Sequence, residues 1–246
     1  MVIFLKILVT GGAGFIGSTF VKYSIRYLGK DLEITVLDKL TYAGNINNLS
    51  FELSKNLIHF VNGDICDKNL VEGIVPNFDL IINFAAETHV DRSIISSIEF
   101  LKTNVLGTSN LALACIQNSV PLIQISTDEV YGSINHGAWN ESSPLIPNSP
   151  YAASKASGDL VLMSYFKTHE LDVKITRCCN NFGPFQYPEK LIPLAITNLI
   201  QGKKVPIYGN GKNVREWIHV EDHCKAIWKI IGQGNSGEIF NIGSDK

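Results

Sequence analysis

The sequence has no long apolar run and almost no net charge. No apolar stretch reaches the length of about 18 residues that a membrane-spanning helix needs, so no membrane anchor is predicted. The 21 Lys and Arg residues nearly balance the 23 Asp and Glu residues, and the net charge of −2 gives no reason to expect a nucleic acid or an acidic membrane as partner. Lys6 interrupts the apolar start and no cleavage pattern follows, so a signal peptide is not predicted.

Cysteine and histidine are too few and too scattered to predict a disulfide framework or a metal site. The five cysteines are odd in number and include no Cys-x-x-Cys, which is typical of free thiols in a reducing cytoplasm. His219 and His223 are four residues apart, but no third ligand accompanies them, so no metal is expected.

Short apolar runs alternate with amphipathic stretches, without internal repeats or low-complexity segments. This alternation predicts stacked βαβ units, that is, a Rossmann-like, doubly wound α/β fold with a mostly parallel sheet. Several runs are continuous and rich in β-branched residues, as in strands covered on both faces. The predicted strands span residues 5–9, 33–37, 57–61, 80–84, 122–125 and 173–176. The predicted helices span residues 15–28, 93–117 and 150–169.

Turn-forming residues multiply after about residue 178, which indicates a change of organisation. We expect residues 1–178 to form one large domain. We expect residues 179–246 to form a smaller α/β lobe, interleaved with the last strands of the sheet and suited to holding a substrate. The elements predicted in this lobe are helices at 189–200 and 220–231 and strands at 205–208 and 238–242.

A glycine-rich turn follows the first predicted strand and opens the first predicted helix. Its glycines allow a tight bend and let a pyrophosphate approach the helix N-terminus; they are Gly11, Gly12, Gly14 and Gly17. Asp38 ends the second strand 21 residues after the last glycine, where a carboxylate can accept hydrogen bonds from a ribose. Together these features predict a dinucleotide site in the first domain. The carboxylate favours NAD over NADP because it repels a 2′-phosphate.

Two charged residues near this site have more than one interpretation. Lys39 follows Asp38 directly and could soften the preference for NAD. Asp64, after the third strand, either meets the adenine ring together with Ile65 or caps the next helix. The sequence does not decide between these interpretations.

Tyr151 and Lys155 are four residues apart in a predicted helix and therefore share one face. A phenol is a weak base because its pKa is about 10, but a neighbouring ammonium group and a positively charged nicotinamide both favour the phenolate. The pair can then accept a hydroxyl proton while hydride leaves the same carbon. Downstream of a dinucleotide site, this spacing predicts catalysis of hydride transfer.

These motifs resemble those of the extended short-chain dehydrogenase/reductase superfamily, and within it those of the nucleotide-sugar 4,6-dehydratases. The deciding stretch is Ser-Thr-Asp-Glu-Val-Tyr-Gly at residues 126–132, because 4-epimerases of the superfamily carry small residues where Asp128 and Glu129 stand. Further matching stretches lie at residues 38–45, 84–92, 103–104, 177–184 and 189–193. Two positions depart from the family pattern, since Thr88 and Cys179 each stand where serine is commoner.

The resemblance implies a hydro-lyase reaction of deoxysugar biosynthesis on an NDP-hexose, with dTDP-glucose as the first expected substrate and UDP-glucose as the next. NAD would oxidise C4, water would be lost across C5 and C6, and hydride would return to C6 to give the NDP-4-keto-6-deoxy sugar. By resemblance, Tyr151 removes the O4 proton while Thr127 bonds O4. Glu129 then removes the C5 proton, and protonated Asp128 donates to the departing C6 hydroxyl. Such a base and acid need different pKa values.

The same resemblance implies which residues hold the cofactor and the substrate. The expected catalytic residues are Thr127, Asp128, Glu129, Tyr151 and Lys155. Those expected at NAD are Gly11, Gly12, Gly14, Phe15, Ile16, Gly17, Asp38, Lys39, Leu40, Thr41, Asp64, Ile65, Phe84, Ala85, Ala86, Glu87, Thr103, Tyr151, Lys155 and Asn181. Those expected at the sugar nucleotide are Thr88, Thr127, Asn180, Lys190, Leu191, Pro206, Ile207, Tyr208 and Arg215. Lys190 and Arg215 suit a diphosphate, and Tyr208 suits stacking on a pyrimidine.

Members of this family pair through two long helices in a four-helix bundle, so the resemblance implies a homodimer through the predicted helices at 93–117 and 150–169. Two alternatives stay open: an NAD-dependent 4-epimerase or decarboxylase of the same superfamily, and a non-catalytic NAD-binding sensor. Family members are also longer, and this sequence stops where Ser244 or Asp245 resembles a helix N-cap. We therefore expect the second lobe to be truncated.

Overall fold

Parallel strands form the centre of the structure, a computed structural model that describes residues 4–207 and 209–244 except for the side chain of Lys30. The strands are β1 (Leu5–Thr10), β2 (Leu32–Asp38), β3 (His59–Asn62), β4 (Leu80–Asn83), β5 (Leu122–Thr127), β6 (Val173–Cys178), β7 (Asn180–Phe182), β8 (Trp217–His219) and β9 (Ile239–Ile242). Seven of them pair in parallel in the order β3-β2-β1-β4-β5-β6-β9. The direction of winding reverses between β1 and β4, where doubly wound folds bind ligands at the carboxyl ends of the strands.

Helices connect these strands. They are α1 (Phe15–Leu28), α2 (Ser50–Ser54), α3 (Lys68–Ile74), α4 (Val90–Ile95), α5 (Ile98–Leu101), α6 (Thr108–Asn118), α7 (Pro150–His169), α8 (Leu191–Ile200) and α9 (Val220–Gln233). Short 3₁₀ turns lie at Gly29–Asp31, Ile46–Leu49, Val75–Asn77 and Asp128–Tyr131, and a π-helical turn, Lys102–Gly107, joins α5 to α6. Among the residues that the structure describes, no helix combines the length and the apolarity needed to cross a membrane.

Two apolar layers cover the two faces of the main sheet, and a smaller buried cluster contains Val130, Tyr131 and Ala156. Alternate residues of β1 enter different layers, because successive side chains of a strand point to opposite faces. Ile7 packs in the layer that includes Phe20 of α1 and Ile227 of α9. Leu8 packs in the layer that includes Leu111 of α6 and Leu162 of α7. The prediction of a doubly wound sheet covered on both faces is confirmed.

The predicted helix at 93–117 is wrong as a single element. The chain leaves helical geometry at Ser96, whose φ and ψ are −145° and 93°, so α4 ends before α5 begins. Serine side chains compete for nearby backbone groups and favour such breaks. The π-helical turn Lys102–Gly107 is a second departure from regular α-helix. The helices predicted at 15–28 and 150–169 have the predicted bounds.

The second segment differs most from its prediction. Residues 205–207 form no strand, since Pro206 and Ile207 are exposed and no partner strand pairs with them; Tyr208 lies outside the described residues. The small parallel sheet of β7 and β8 is not predicted, because each strand has only three residues. β9 pairs with β6 in the main sheet. The division at residue 178 stays a prediction.

Candidate active site

The turn between β1 and α1 lies against the loop that follows β4. Gly11 has a φ of +68°, and a Cβ on it would lie 2.5 Å from the backbone nitrogen of Ala85 and 2.6 Å from the carbonyl carbon of Phe84. A Cβ on Gly17 would collide with the carbonyl oxygen of Gly11. No side chain caps α1 at Gly14, and its first turn has no acidic residue. An uncapped helix N-terminus with close backbone access suits a phosphate group.

Asp38 is fixed at the carboxyl end of β2. Its Oδ2 accepts a hydrogen bond from the backbone nitrogen of Ala13 at 2.9 Å, and its Oδ1 accepts one from Leu40 at 2.8 Å. Burial raises the pKa of Asp38, and these two backbone hydrogen bonds oppose that rise. The carboxylate is therefore held beside the glycine turn, where a ribose could meet it.

Lys39 and Asp64 form an ion pair at 2.7 Å. The Asp64 carboxylate also accepts from the backbone nitrogen of Cys66. The N-cap of α3 is Asp67, whose side chain accepts from Leu70, so the interpretation of Asp64 as the helix cap is wrong. Asp64 also opposes the charge that Lys39 would present to a 2′-phosphate. The contact of Asp64 with an adenine ring stays a prediction.

A cleft at the carboxyl ends of β1 to β4 brings many of the predicted NAD residues together. Those that line it are Gly11, Gly14, Asp38, Lys39, Thr41, Asp64, Ile65, Phe84, Ala85, Ala86, Glu87 and Thr103. The predicted residues that do not line it are Gly12, Phe15, Ile16, Gly17, Leu40, Tyr151, Lys155 and Asn181. The sequence analysis missed four lining residues: Leu37, Ala43, Gly44 and Gly63. Leu37 and Gly63 lie at the ends of β2 and β3, a position that could have indicated them.

The start of α7 is fixed by local hydrogen bonds. Ser149 is its N-cap and accepts from the backbone nitrogen of Ala152, and Pro150 is the first helical residue. Proline suits this position because its missing N–H needs no partner there. The backbone nitrogen of Tyr151 donates to Ser93 Oγ at 3.1 Å, which ties α7 to α4. The position of the tyrosine is therefore set from two helices.

Tyr151 and Lys155 are both buried, with 8% and 4% of their surface exposed. Lys155 Nζ donates to the carbonyl oxygen of Ile125 in β5 at 2.7 Å. Burial and the nearby Glu129 raise the pKa of Tyr151 well above its usual range, and a hydrogen bond with Thr127 opposes this rise. The protein groups together keep the phenol protonated. A lower pKa would need a further positive charge close to the ring.

The carboxyl pair lies in the 3₁₀ turn Asp128–Tyr131, directly after β5. Thr127 caps this turn: its hydroxyl accepts from the backbone nitrogen of Glu129 and donates to Asp128 Oδ1, each at 3.3 Å. Asp128, Glu129 and Thr127 all act electrostatically on the Tyr151 phenol. The four predicted side chains are therefore brought together at one end of the sheet.

The surroundings of the two carboxyl groups differ in charge. Burial raises the pKa of Asp128, and the carboxylate of Glu216 adds to the rise. Burial also raises the pKa of Glu129, the Asp128 carboxylate adds to that rise, and the cations Lys190 and Arg215 oppose it. Both carboxyl groups therefore have raised pKa values, and of the two only Glu129 has cations among the groups that lower its pKa. The sequence analysis missed Glu216, because nothing in its spacing links it to Asp128.

The predicted substrate residues are only partly brought together. Lys190 Nζ lies 3.5 Å from the carbonyl oxygen of Thr88, and Asn180 Nδ2 donates to the carbonyl oxygen of Glu216 at 3.2 Å. The side chains of four predicted substrate residues are exposed: Leu191, Pro206, Ile207 and Arg215. Tyr208 lies outside the described residues. Within the described part of the chain, no three His, Cys, Asp or Glu side chains are grouped to hold a metal ion.

Asn181 is expected at NAD, but its amide is used inside the protein. Its Nδ2 donates to the carbonyl oxygen of Cys179 at 3.0 Å, and its Oδ1 lies 2.9 Å from Nδ1 of His223. His223 is fully buried, and burial lowers its pKa to about 4. The neutral ring therefore holds the amide in the core.

Comparisons with known proteins agree with this arrangement. The family model described as GDP-mannose 4,6 dehydratase matches residues 8–245. A dTDP-glucose 4,6-dehydratase of Streptomyces niveus is 53% identical over 97% of this chain and 72% of its own length. The crystal structure of DesIV, a dTDP-glucose 4,6-dehydratase of Streptomyces venezuelae with NAD bound, superposes with a TM-score of 0.93 at 52% identity, over 97% of this chain and 75% of that one. A UDP-glucose 4-epimerase of Thermus thermophilus in complex with NAD has a lower identity of 30% and a TM-score of 0.87, over 98% of this chain and 78% of that one.

Proposed function

This chain belongs to the dTDP-glucose 4,6-dehydratase family, and we propose that it converts dTDP-glucose to the dTDP-4-keto-6-deoxy sugar with NAD as cofactor. The observation that carries the proposal is the carboxyl pair beside Tyr151. Burial and neighbouring carboxylates raise the pKa of both groups, and the cations Lys190 and Arg215 oppose the rise at Glu129 alone, which suits Asp128 as the acid and Glu129 as the base on adjacent carbons. An epimerase of the same superfamily needs no such pair.

The cleft beside the glycine turn fits a dinucleotide. A side chain at Gly11 would collide with the backbone of Phe84 and Ala85, which line the same cleft, and the uncapped N-terminus of α1 offers N–H donors to a pyrophosphate. Asp38 would hold the adenosine ribose, and the pairing of Lys39 with Asp64 supports a preference for NAD over NADP. When bound, NAD supplies a hydride acceptor for C4 and a hydride donor for C6.

Tyr151 acts in the oxidation half of the reaction. Its phenolate accepts the proton of the C4 hydroxyl as the C4–H bond breaks, and Thr127 holds O4 by a hydrogen bond. The phenol is a stronger acid when cations surround it, so the Lys155 ammonium and the nicotinamide charge both assist its ionisation. Burial of the pair keeps water away from the transferred hydrogen.

Asp128 and Glu129 act in the elimination half. The C4 ketone acidifies the C5 proton, which Glu129 accepts. The C6–O bond breaks as Asp128 gives its proton to the departing hydroxyl, and water leaves. Glu129 later returns its proton to C5. Lys190 and Arg215, which already face Glu129, are suited to a diphosphate at the same mouth of the site.

We further propose a homodimer that forms through α4, α5 and α7. Apolar side chains on these helices and on the π-helical turn are exposed: Ile94, Ile95, Ile98, Leu101, Leu106 and Leu160. A patch of this kind is typical of a protein interface. Antiparallel copies of these helices would bury it as a four-helix bundle.

The two-part organisation and the compartment remain proposals as well. We propose that residues 1–178 hold the cofactor and that residues 179–246 hold the sugar nucleotide, since Lys190, Arg215 and Glu216 of the second part face the carboxyl pair. The five cysteines are all free, which supports a reducing, cytoplasmic location.

Product formation tests the proposed activity. The 246-residue chain is incubated with NAD and either dTDP-glucose or UDP-glucose, and the sugar is followed by proton NMR. We expect a new C6 methyl signal with dTDP-glucose and a slower reaction with UDP-glucose. The matched control is the Asp128→Asn/Glu129→Gln variant, which should give no methyl signal. Absence of the 4-keto-6-deoxy product with both sugar nucleotides would contradict the proposal.

A further inference from the structure

A buried ion pair lies behind the Tyr151 and Lys155 pair, on the same helix. Asp159 follows Lys155 by four residues in α7, so the two side chains share a helix face. Asp159 has no exposed surface and Lys155 has 4%. Asp159 Oδ2 accepts from Nε of Arg177 in β6 at 2.9 Å, with the Arg177 side chain 3% exposed. At this depth, water cannot solvate either the Asp159 carboxylate or the Arg177 guanidinium.

Asp159 is the carboxylate that acts on Lys155, through its charge and not through an ion pair. Lys155 Nζ donates its hydrogen bond to a neutral group, the carbonyl oxygen of Ile125 in β5. Burial lowers the pKa of Lys155, whereas Asp159 from α7 and Cys178 from β6 oppose that change. Burial raises the pKa of Cys178 to about 12, so this thiol is neutral near pH 7. A buried ammonium without a counter-charge would be strongly disfavoured.

The Asp159 carboxylate is also held in direction. Arg177 Nη1 donates to the hydroxyl of Tyr131 at 2.9 Å, and this hydroxyl donates to Oδ1 of Asn241 in β9 at 2.8 Å. Tyr131 ends the 3₁₀ turn that carries the carboxyl pair. Arg177 therefore links three elements of the site: α7, the 3₁₀ turn and, through Tyr131, β9. The Arg177 ion pair therefore fixes the direction of the carboxylate, and Arg177 and Lys155 together oppose the rise in the pKa of Asp159 that burial causes.

We propose that Asp159 is a positioning residue, the buried counter-ion that holds the Lys155 ammonium beside Tyr151, with Arg177 fixing its direction. This inference rests on the proposed function, since it concerns the pair that oxidises C4. Asp159 touches neither the sugar nor the cofactor in this scheme. Its contribution passes through the charge of Lys155.

The test compares two variants with the unchanged protein. Asp159→Asn alone would leave Arg177 buried without a counter-charge, so Asp159→Asn/Arg177→Met removes both charges together. Tyr131→Phe is the matched control, because it cuts the same network but keeps the Asp159 to Arg177 ion pair. The measurement is the pH dependence of NADH formation during C4 oxidation, read in a single turnover with dTDP-glucose.

Loss of the carboxylate should let Lys155 release its proton at lower pH. We expect the alkaline limb of the profile to move down by about 1 pH unit or more in Asp159→Asn/Arg177→Met, the size of shift that a nearby opposite charge produces. The control should keep the alkaline limb of the unchanged protein. A double variant that loses rate but keeps that limb would overturn the proposal, because a purely structural role lowers rate at every pH.

A second measurement does not depend on activity. The Lys155 amine is titrated by NMR of protein labelled with ¹³C at lysine Cε, and Lys155→Arg identifies its signal. The titration midpoint should fall by about 1 pH unit or more when Asp159 is neutralised. An unchanged midpoint would overturn the counter-ion role. If the unchanged protein forms no NADH with either sugar nucleotide, the proposed function fails, and this titration still decides the role of Asp159.

Discussion

The close approach of the glycine turn to the loop after β4 can be tested by adding one methyl group at Gly11. In Gly11→Ala the new Cβ would lie 2.5 Å and 2.7 Å from the backbone nitrogen and Cα of Ala85. Backbone atoms cannot move aside as a flexible side chain can. Either the glycine turn or the loop carrying Ala85 must shift, and both line the NAD cleft.

The expected loss of stability has two parts. A non-glycine residue with positive φ costs roughly 1–2 kcal/mol, and forcing an extra methyl group into packed surroundings costs about 1–3 kcal/mol. Gly202→Ala separates the two, because Gly202 has a φ of +67° but no atom within 4 Å of its added Cβ. We expect losses of roughly 2–5 kcal/mol for Gly11→Ala and roughly 1–2 kcal/mol for Gly202→Ala.

Urea unfolding measures both free energies, and calorimetric titration measures NAD binding. Gly11→Ala should also weaken NAD binding about tenfold or more, which corresponds to about 1.4 kcal/mol, whereas Gly202→Ala should leave the Kd unchanged. Equal losses of stability in the two variants would refute the close approach at Gly11. Unchanged NAD binding in a folded Gly11→Ala protein would refute the placement of the cofactor against this turn.

Three further predictions concern the acid, a buried histidine and the dimer. Asp128→Asn should still form NADH from dTDP-glucose but lose water elimination, and normal dehydration would contradict its role as the acid. Burial lowers the pKa of His223 to about 4, against 6.5 for an unperturbed histidine. As pH falls from about 6.5 to about 4, the histidine therefore takes up a proton in the unfolded chain but not in the folded one. The free energy of unfolding should drop by about 3 kcal/mol over this pH range. Urea unfolding of His223→Gln should lack this drop in the free energy of unfolding. An equal drop in the variant and in the unchanged protein would contradict the prediction. Ile95 is 86% exposed on α4, and Ile95→Asp should give a monomer in analytical ultracentrifugation. The control is Ile200→Asp, at a residue of α8 that is 81% exposed, and it should remain a dimer. A monomeric unchanged protein would contradict the proposed dimer.

The central sheet could be predicted from the sequence because its signals are local. Short apolar runs rich in β-branched residues, bounded by turn formers, favour strands buried on both faces, and the glycine turn with Asp38 places the first two strands beside the dinucleotide site. The start of α7 is equally predictable from the sequence, because serine favours the N-cap and proline favours the first position of a helix, as Ser149 and Pro150 do here.

The errors arose where long-range contacts decide the local structure. Periodicity continues through Ser96, so the break between α4 and α5 is invisible without the packing of α4 against α7. β7 and β8 are strands only because Asn180 and Trp217 meet in space. The apolar stretch at 205–208 resembles a strand, but no described strand pairs with residues 205–207.

The residues of the candidate site could be predicted from the sequence, but the charged groups that surround its two carboxyl groups could not. Family motifs indicated Asp128, Glu129 and Tyr151, and the structure brings them together. The cations beside Glu129 and the carboxylate beside Asp128 come from distant parts of the chain. Asp159 was within reach of sequence reasoning, because it lies one helical turn beyond Lys155, but its partner Arg177 on β6 was not.

The most direct test of the proposed reaction follows one hydrogen atom. dTDP-glucose carrying deuterium at C4 is incubated with the protein and NAD in ordinary water, and the product is examined by NMR and mass spectrometry. The proposed route moves this hydrogen from C4 to the cofactor and back to C6, so the C6 methyl group of the product should contain the deuterium. A 4-keto-6-deoxy product without deuterium at C6, or a sugar that keeps deuterium at C4, would contradict the account.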